Sequence, residues 1–258
     1  MKKLCSAKIL ANEQLANQYW RMVFDCGAIA ESAKPGQFIE VYFSNSTKLF
    51  PRPFSIAKVS GEKVELIYKV IGSQTEQMAG WATGKSVEIL GPLGNSFSLD
   101  NSFKTHLLVG GGVGLAPMVF LSHEMEKRGM NFRFFSGGRD DQEYFPLLKD
   151  AKRLYISTDD GSLGFHGNVV ENLSKEIRNF PKPAVIYACG PEKMSAAVKK
   201  FGEKHGISVQ ISMETLMACG MGLCQGCAIK TYDSAGNDKI SLVCKDGPVF
   251  KGEELNFD

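Results

Sequence analysis

No stretch of about 18 apolar residues occurs in this chain, so no membrane span is expected. The opening segment, MKKLCSAKIL, lacks the apolar core of a secretory leader, and no signal peptide is expected. There is no long Lys/Arg run, and the formal net charge is only +2 over 258 residues. That balance argues against a nucleic-acid or membrane-surface role. Internal repeats and low-complexity linkers are absent too. A glycine-rich turn is present, but without the Gly-Lys-Ser/Thr that a P-loop requires, which excludes an NTPase of that kind. A chain without an export signal is expected in the reducing cytoplasm, where disulfides are rare. Its seven cysteines therefore call for metal, catalysis or plain packing.

What is present falls into three segments. Residues 1–100 read as β: YWRMVFDC, QFIEVYFS, FSIAKV, KVELIYKVIG and SVEILG are short runs rich in β-branched and aromatic residues, separated by KPGQ, SGEK, ATGK and GPLGN. This pattern predicts an antiparallel barrel or sandwich, with one short helix near QTEQMAGWA. Residues 101–210 alternate instead. HLLV, FRFF, RLYIS, AVIYA and SVQIS read as strands, and helical patterns follow the first four, the second of them near DQEYFPLLK. Val169, Val170, Leu173 and Ile177 share one helical face, as do Met194, Val198 and Phe201. The alternation predicts a doubly wound, five-stranded parallel sheet covered on both faces. Residues 211–258 have poor periodicity, frequent glycine and most of the cysteines, and read as a small module.

In that module Cys219-x4-Cys224-x2-Cys227, with Cys244 further on, has the plant-type spacing of a [2Fe–2S] cluster. Thiolates suit iron because they are soft and strongly donating. Gly220, Gly222 and Gly226 allow backbone to approach a cluster closely. A structural zinc site more often shows paired C-x2-C knuckles, and here there is one such pair; four unligated thiols are the remaining reading. Cys5 and Cys26 read as small buried hydrophobes.

Two further stretches point to nucleotide chemistry. In HLLVGGGVGLAPM, the glycines Gly110, Gly111, Gly112 and Gly114 fall between an apolar strand and a helix, the context in which a helix N-terminus meets a phosphate. A tight strand–helix connection would have the same glycines. Cys189 and Gly190, in YACGPEKM, end another strand, at the carboxyl edge where ligands of such sheets bind; a merely buried cysteine fits the pattern equally. In PRPFSIAKV, Arg52 could clamp a diphosphate or be an ordinary surface arginine. Asp159 and Asp160 follow the strand RLYIS. Carboxylates there would accept from a ribose 2′-hydroxyl and repel a 2′-phosphate, which predicts NAD over NADP. The alternative is that an Asp caps a turn.

In order along the chain, RPFS, IYKV, GPLGNSF, VGGGVGLAPM, CGPEKM and CKDGPVF resemble the ferredoxin–NADP reductase superfamily, and within it the electron-transfer subunits of type B, NAD-dependent dihydroorotate dehydrogenases. The resemblance covers essentially the whole chain, and the cysteine module is its discriminating part. It implies FAD on the barrel, touched by Arg52, Pro53, Phe54 and Ser55, by Ile67, Tyr68 and Lys69, and by Gln74 and Thr75. Gln74 departs from the family's usual glycine. It implies NAD at Gly110, Gly111, Gly112, Gly114 and Asp159, with Cys189 and Gly190 near the nicotinamide and Cys189 and Ser55 as candidate catalytic residues. Cys219, Cys224, Cys227 and Cys244 would be the cluster ligands. The implied partner is an FMN-containing catalytic subunit in a two-plus-two heterotetramer. Dihydroorotate oxidation there would reduce NAD⁺ here, in pyrimidine biosynthesis, with the surface around Met217, Met221 and Leu223 as the contact. The competing readings are a flavin–iron–sulfur reductase subunit of another complex, such as a ferredoxin-dependent NADP reductase or a sulfite reductase, and a non-enzymatic redox-sensing or scaffold subunit.

Overall fold

The structure is a computed structural model that describes residues 2–44, 49–146 and 153–257. Six antiparallel strands close a barrel in the order β1-β2-β5-β4-β3-β6. They are β1 (Lys3–Ala16), β2 (Tyr19–Asp25), β3 (Phe38–Val41), β4 (Arg52–Ser60), β5 (Lys63–Lys69) and β6 (Ser86–Leu93). A four-residue helix, α1 (Gly27–Ala30), follows β2, and α2 (Ser73–Ala79) follows β5 where the sequence predicts it. Closure leaves no free sheet edge, and Ile9, Met22, Phe24, Ile39, Ile56 and Leu66 meet inside, fully buried. Asn12 ties α2 to the wall: its amide donates to the carbonyls of Met78, Ala79 and Trp81, and its Oδ1 accepts from the Tyr68 hydroxyl at 2.9 Å.

The five expected parallel strands are β7 (Thr105–Gly111), β8 (Phe132–Gly138), β9 (Leu154–Thr158), β11 (Ala184–Cys189) and β12 (Ser208–Ser212). Two short strands extend the sheet to seven: β10 (Phe165–His166), parallel to β9, and β15 (Val249–Lys251), antiparallel to β12. Helices α3 (Leu115–Lys127), α4 (Val169–Glu176) and α5 (Glu192–His205) cover it. Asn168 caps α4 by accepting from Val170 and Glu171 N–H, so the periodic face begins there and buries Val169, Leu173 and Ile177. The helix expected near DQEYFPLLK is only a short 3₁₀ turn over Asp141–Glu143 in its described part, and the remainder lies outside the described residues.

The last segment forms the hairpin β13 (Ala228–Tyr232) and β14 (Asp238–Leu242) before contributing β15 to the large sheet. Its core is continuous with the other two regions. Cys227, Val243, Cys244 and Leu255 lie in one buried cluster with Val209 and Ile211 of the sheet and with Phe38 and Leu93 of the barrel. The cysteine segment is thus wedged between barrel and sheet. Among the described residues, no helix is long and apolar enough to cross a membrane.

Candidate functional site: a cleft, a glycine edge and a cysteine loop

A cleft of about 900 Å³ opens between the barrel and the segment after β12. Its barrel wall contains Arg52, Pro53, Phe54 and Ser55 at the start of β4, Ile67, Tyr68 and Lys69 at the end of β5, and Gln74 and Thr75 in the first turn of α2. The antiparallel β4–β5 pairing runs up to Ile56 opposite Leu66, and the first two groups lie just beyond that last pair. Phe54 packs edge-on to Tyr68 with ring centroids 6.0 Å apart. Tyr68 is buried and its hydroxyl is held by Asn12, so it shapes the wall. The Thr75 hydroxyl accepts from Ile71 and Gly72 N–H and donates to the Gly72 carbonyl, which braces the turn. Gln74 donates to the Phe50 carbonyl, while its Oε1 is buried without a partner among the described residues. A buried acceptor left in this way fits a site completed by a bound donor. The cleft volume lies within the roughly 300–1,000 Å³ typical of cofactor sites.

The opposite wall is made by Ser212, Met213, Glu214, Thr215, Leu216 and Met217, which lead directly into Cys219. Glu214 is a residue that the sequence reading missed. Its Oε1 accepts from the Cys189 thiol at 3.7 Å, and the surrounding protein pushes its pKa up. Burial and the Glu214 charge push the Cys189 thiol well above its ordinary value. A cysteine held protonated in this way is no nucleophile; what it offers here is shape and a weak donor. No periodicity marks Glu214, and only its place just before the cysteines could have drawn notice.

The carboxyl edge of the parallel sheet carries the glycine turn. A Cβ on Gly114 would fall into the Cys189 carbonyl, and one on Gly190 would stand 3.0 Å from the Gly111 carbonyl oxygen. The ends of β7 and β11 therefore approach as closely as bare backbone allows, and the helix that begins at Leu115 starts from this edge. That is a backbone cradle for an anion, and it fits a dinucleotide. Asp160 is spent on its own turn: it accepts from the Ser162 N–H and hydroxyl, which lowers its pKa. Asp159 donates its backbone N–H to the Gly138 carbonyl, at the carboxyl end of β8.

The four cysteines stand as two pairs. Cys219 Sγ accepts from Met221 N–H at 3.4 Å and Cys224 N–H at 3.5 Å. Burial alone would raise its pKa, but those N–H groups outweigh it and bring the thiol down to about 6. Cys227 and Cys244 are buried with their sulfurs 3.2 Å apart, and Cys244 N–H donates to Cys227 Sγ. Burial, together with Cys227, pushes Cys244 up to about 12. Among the described residues, no three His, Cys, Asp or Glu side chains converge as a finished metal cage. The donor set is nevertheless what an iron–sulfur cluster needs: four thiols, with backbone N–H groups directed at sulfur. Beneath the loop lies Glu40, wholly buried on β3, with both oxygens unpartnered among the described residues. Burial and then Cys219 push its pKa up to about 8, against the pull of Arg52.

A closed antiparallel barrel beside a doubly wound sheet, with a cleft at their junction, defines the ferredoxin-reductase class of flavin- and pyridine-nucleotide-linked electron-transfer proteins, here with a cysteine module attached. A family model described as the iron–sulfur cluster binding domain of dihydroorotate dehydrogenase B matches residues 214–256, which include all four cysteines. Over 253 residues, 96% of each chain, the sequence is 34% identical to the dihydroorotate dehydrogenase B (NAD(+)) electron transfer subunit of Enterococcus faecalis. It is 34% identical to that of Listeria monocytogenes, over 97% of this chain and 98% of the relative. It is 32% identical to that of Caldanaerobacter subterraneus over the full length of both. The chain belongs to this family of electron transfer subunits. Among solved structures, it is similar to a chain from the NADH-dependent reduced ferredoxin–NADP oxidoreductase, with a TM-score of 0.84, 25% identity and coverage of 98% of this chain and 90% of that one. Phthalate dioxygenase reductase shares the fold, with a TM-score of 0.65, 18% identity and coverage of 93% and 77%.

Proposed function

We propose that this chain joins dihydroorotate oxidation, on an FMN-bearing catalytic partner, to the reduction of NAD⁺ in pyrimidine biosynthesis. FAD occupies the β4–β5 cleft, NAD the glycine edge, and a [2Fe–2S] cluster the loop of Cys219, Cys224, Cys227 and Cys244. The observation that carries this reading is the shared wall: residues 213–217 line the cleft, and the first cysteine follows two residues later. A flavin there supplies the exchange between hydride and single-electron chemistry.

The residues themselves bind and orient. Arg52 offers a guanidinium to a diphosphate at the cleft mouth, Ser55 offers a hydroxyl on the wall, and Cys189 with Glu214 closes the far side. Gly111, Gly114 and Gly190 let the glycine turn pack directly against the end of β11 and the start of α5, which shapes the edge that a dinucleotide would meet. Among these residues, none is needed as a protein base for the hydride step. Leu216 and Leu223, 88% and 77% exposed beside the cysteine loop, mark the face that meets the partner, and the family reading makes the assembly two plus two. The division of the chain at about residues 100 and 210 belongs to the same reading.

The test is reconstitution. The isolated chain should oxidise NADH with artificial acceptors but not oxidise dihydroorotate, and adding the partner should create dihydroorotate:NAD⁺ activity. Dihydroorotate oxidation by this chain alone, in a preparation free of partner, would overturn the reading.

A further inference from the structure

The Lys69 side chain does not end in the cleft that its strand lines. Its ammonium donates to Glu143 Oε1 at 2.7 Å, across from the barrel to the turn that follows β8. The same Oε1 accepts from Arg139 Nη2 at 2.7 Å and from its Nε at 3.1 Å, and Oε2 accepts the Arg139 backbone N–H at 3.2 Å. Both partners of the Lys69–Glu143 pair are largely shielded, at 16% and 11% side-chain exposure. By contrast, Lys127–Glu124 on α3 has a lysine that is 64% exposed, the kind of surface pair that contributes little.

Other contacts converge on the same turn. Asn17, between β1 and β2, donates its backbone N–H to the Gln142 carbonyl at 3.2 Å. Tyr19 of β2 packs against Phe145 with ring centroids 5.3 Å apart, and the Lys69 ammonium lies 5.0 Å from the Tyr19 ring centre. On its other side the turn holds the dinucleotide edge. Asp159 N–H donates to the Gly138 carbonyl, Asp160 N–H to the Arg139 carbonyl, and Asp141 N–H to the Ser162 hydroxyl. Glu143 also lines a small recess with Gly137, Gly138, Ser157 and Thr158 at the ends of β8 and β9.

We propose that Glu143 is a positioning residue for the dinucleotide: one carboxylate grips Lys69 of the flavin-side strand and Arg139 of the dinucleotide edge, and so holds the two cofactor walls at one spacing. The proposal rests on the reading that FAD occupies the β4–β5 cleft and NAD the glycine edge. Without the carboxylate, Lys69 and Arg139 face each other as like charges across the junction, and the turn that orders Asp159 keeps only its uncharged contacts with the barrel, Asn17 with Gln142 and Tyr19 with Phe145.

The full chain with its cofactors provides the test, by steady-state NADH oxidation with an artificial acceptor and by the flavin spectral change on adding NAD⁺. Wild-type flavin must first be bleached by NADH; if it is not, the underlying functional reading fails and the proposal falls with it. Glu143→Gln should raise KM for NADH about ten-fold, as the charged grip on Lys69 and Arg139 is lost, with kcat within about three-fold. The NAD⁺ concentration that half-saturates the spectral change should rise in parallel. Lys69→Met breaks the same pair from the barrel side, so the test survives a Glu143→Gln chain that fails to fold. The double variant should be no worse than the poorer single variant, because Glu143→Gln already removes the charge with which Lys69 pairs. A lowered melting temperature with unchanged KM would make the contact merely structural and overturn the proposal. So would losses that multiply in the double variant.

Discussion

The cleft and the cysteine loop adjoin, yet they are built on opposite principles. The cleft wall is regular strand. Its side chains are placed by antiparallel register, Val41 opposite Arg52 and Phe38 opposite Ser55, and by Asn12 holding Tyr68 from behind. The cysteine loop has no ladder of its own between β12 and β13, and its order comes from N–H groups on sulfur and from glycines at positive φ. A wall fixed by its sheet should persist without its ligand. A loop whose thiols stand in two pairs should depend on the metal that would unite them, since metal binding contributes directly to folding.

The sharpest way to break that contrast is to remove a thiol. Cys219→Ser or Cys244→Ser should abolish the cluster's iron and sulfide content and its visible absorbance. FAD should be retained, because the barrel closes independently of the loop. Cys244→Ser should also lower the melting temperature more than Cys219→Ser, since Cys244 is buried in the core shared with barrel and sheet. Full iron in the Cys244→Ser chain would remove it from the ligand set, and loss of flavin in both chains would erase the distinction between the sites.

Next in size is Gly220→Ala. Gly220 has φ +63°, where an alanine is strained by about 1–2 kcal/mol. Its Cβ would also stand 2.8 Å from Glu40 Oε1 and 3.0 Å from Leu93 Cδ1. Because Glu40 is wholly buried, it has nowhere to retreat. Cluster content should fall and chemical denaturation should show a loss of about 2 kcal/mol or more, in line with overpacking. On the cleft side, Arg52→Ala should weaken flavin binding roughly ten-fold or more, by loss of a charged contact to a diphosphate, with the melting temperature of the flavin-free chain nearly unchanged. Flavin fluorescence released on dilution measures it. A large fall in stability would show that Arg52 serves the wall and not the ligand.

The same contrast explains what could be read from the sequence. Where a period exists, the residues announced their element. The strands β2 to β9, β11 and β12, α2, and the faces Val169/Val170/Leu173/Ile177 and Met194/Val198/Phe201 stand where their spacing puts them, with Val170 and Met194 only partly buried. The longest strand, β1, does not stand out in the sequence, although Cys5, Ala7 and Ile9 alternate, because its second half, LANEQLA, neither alternates nor buries any residue fully. β15 was not foreseen either: three residues carry no period, and its pairing with β12 is a tertiary event. The cysteines were legible because cluster chemistry fixes their spacing. Glu40, Glu214, Glu143 and Tyr19 were not, because each matters through a neighbour distant in sequence. At the junction of barrel and sheet, the sequence could name Lys69 but not the carboxylate that holds its ammonium.

The smallest effect concerns that carboxylate and sharpens the comparison at the junction of barrel and sheet. Burial alone would raise the pKa of Glu143, but hydrogen bonds from Arg139 and Lys69 outweigh it and bring the group down to about 2. The folded pKa is thus below the ordinary carboxylate value of 4.5. Between those two values the unfolded chain binds more protons than the folded one, so stability falls as pH falls. The contribution of Glu143 is fully present above about pH 5 and is lost progressively towards pH 2. Melting temperatures measured from pH 7 down to pH 3 should therefore show wild type above Glu143→Gln at neutral pH, with the gap narrowing as the solution is acidified. Subtracting the two curves removes the titration of every other carboxylate, which is why a difference of only a few degrees is readable. A gap that stays constant with pH would mean that the glutamine costs stability through shape, and that the Lys69–Glu143–Arg139 cluster does not hold barrel and sheet together by charge.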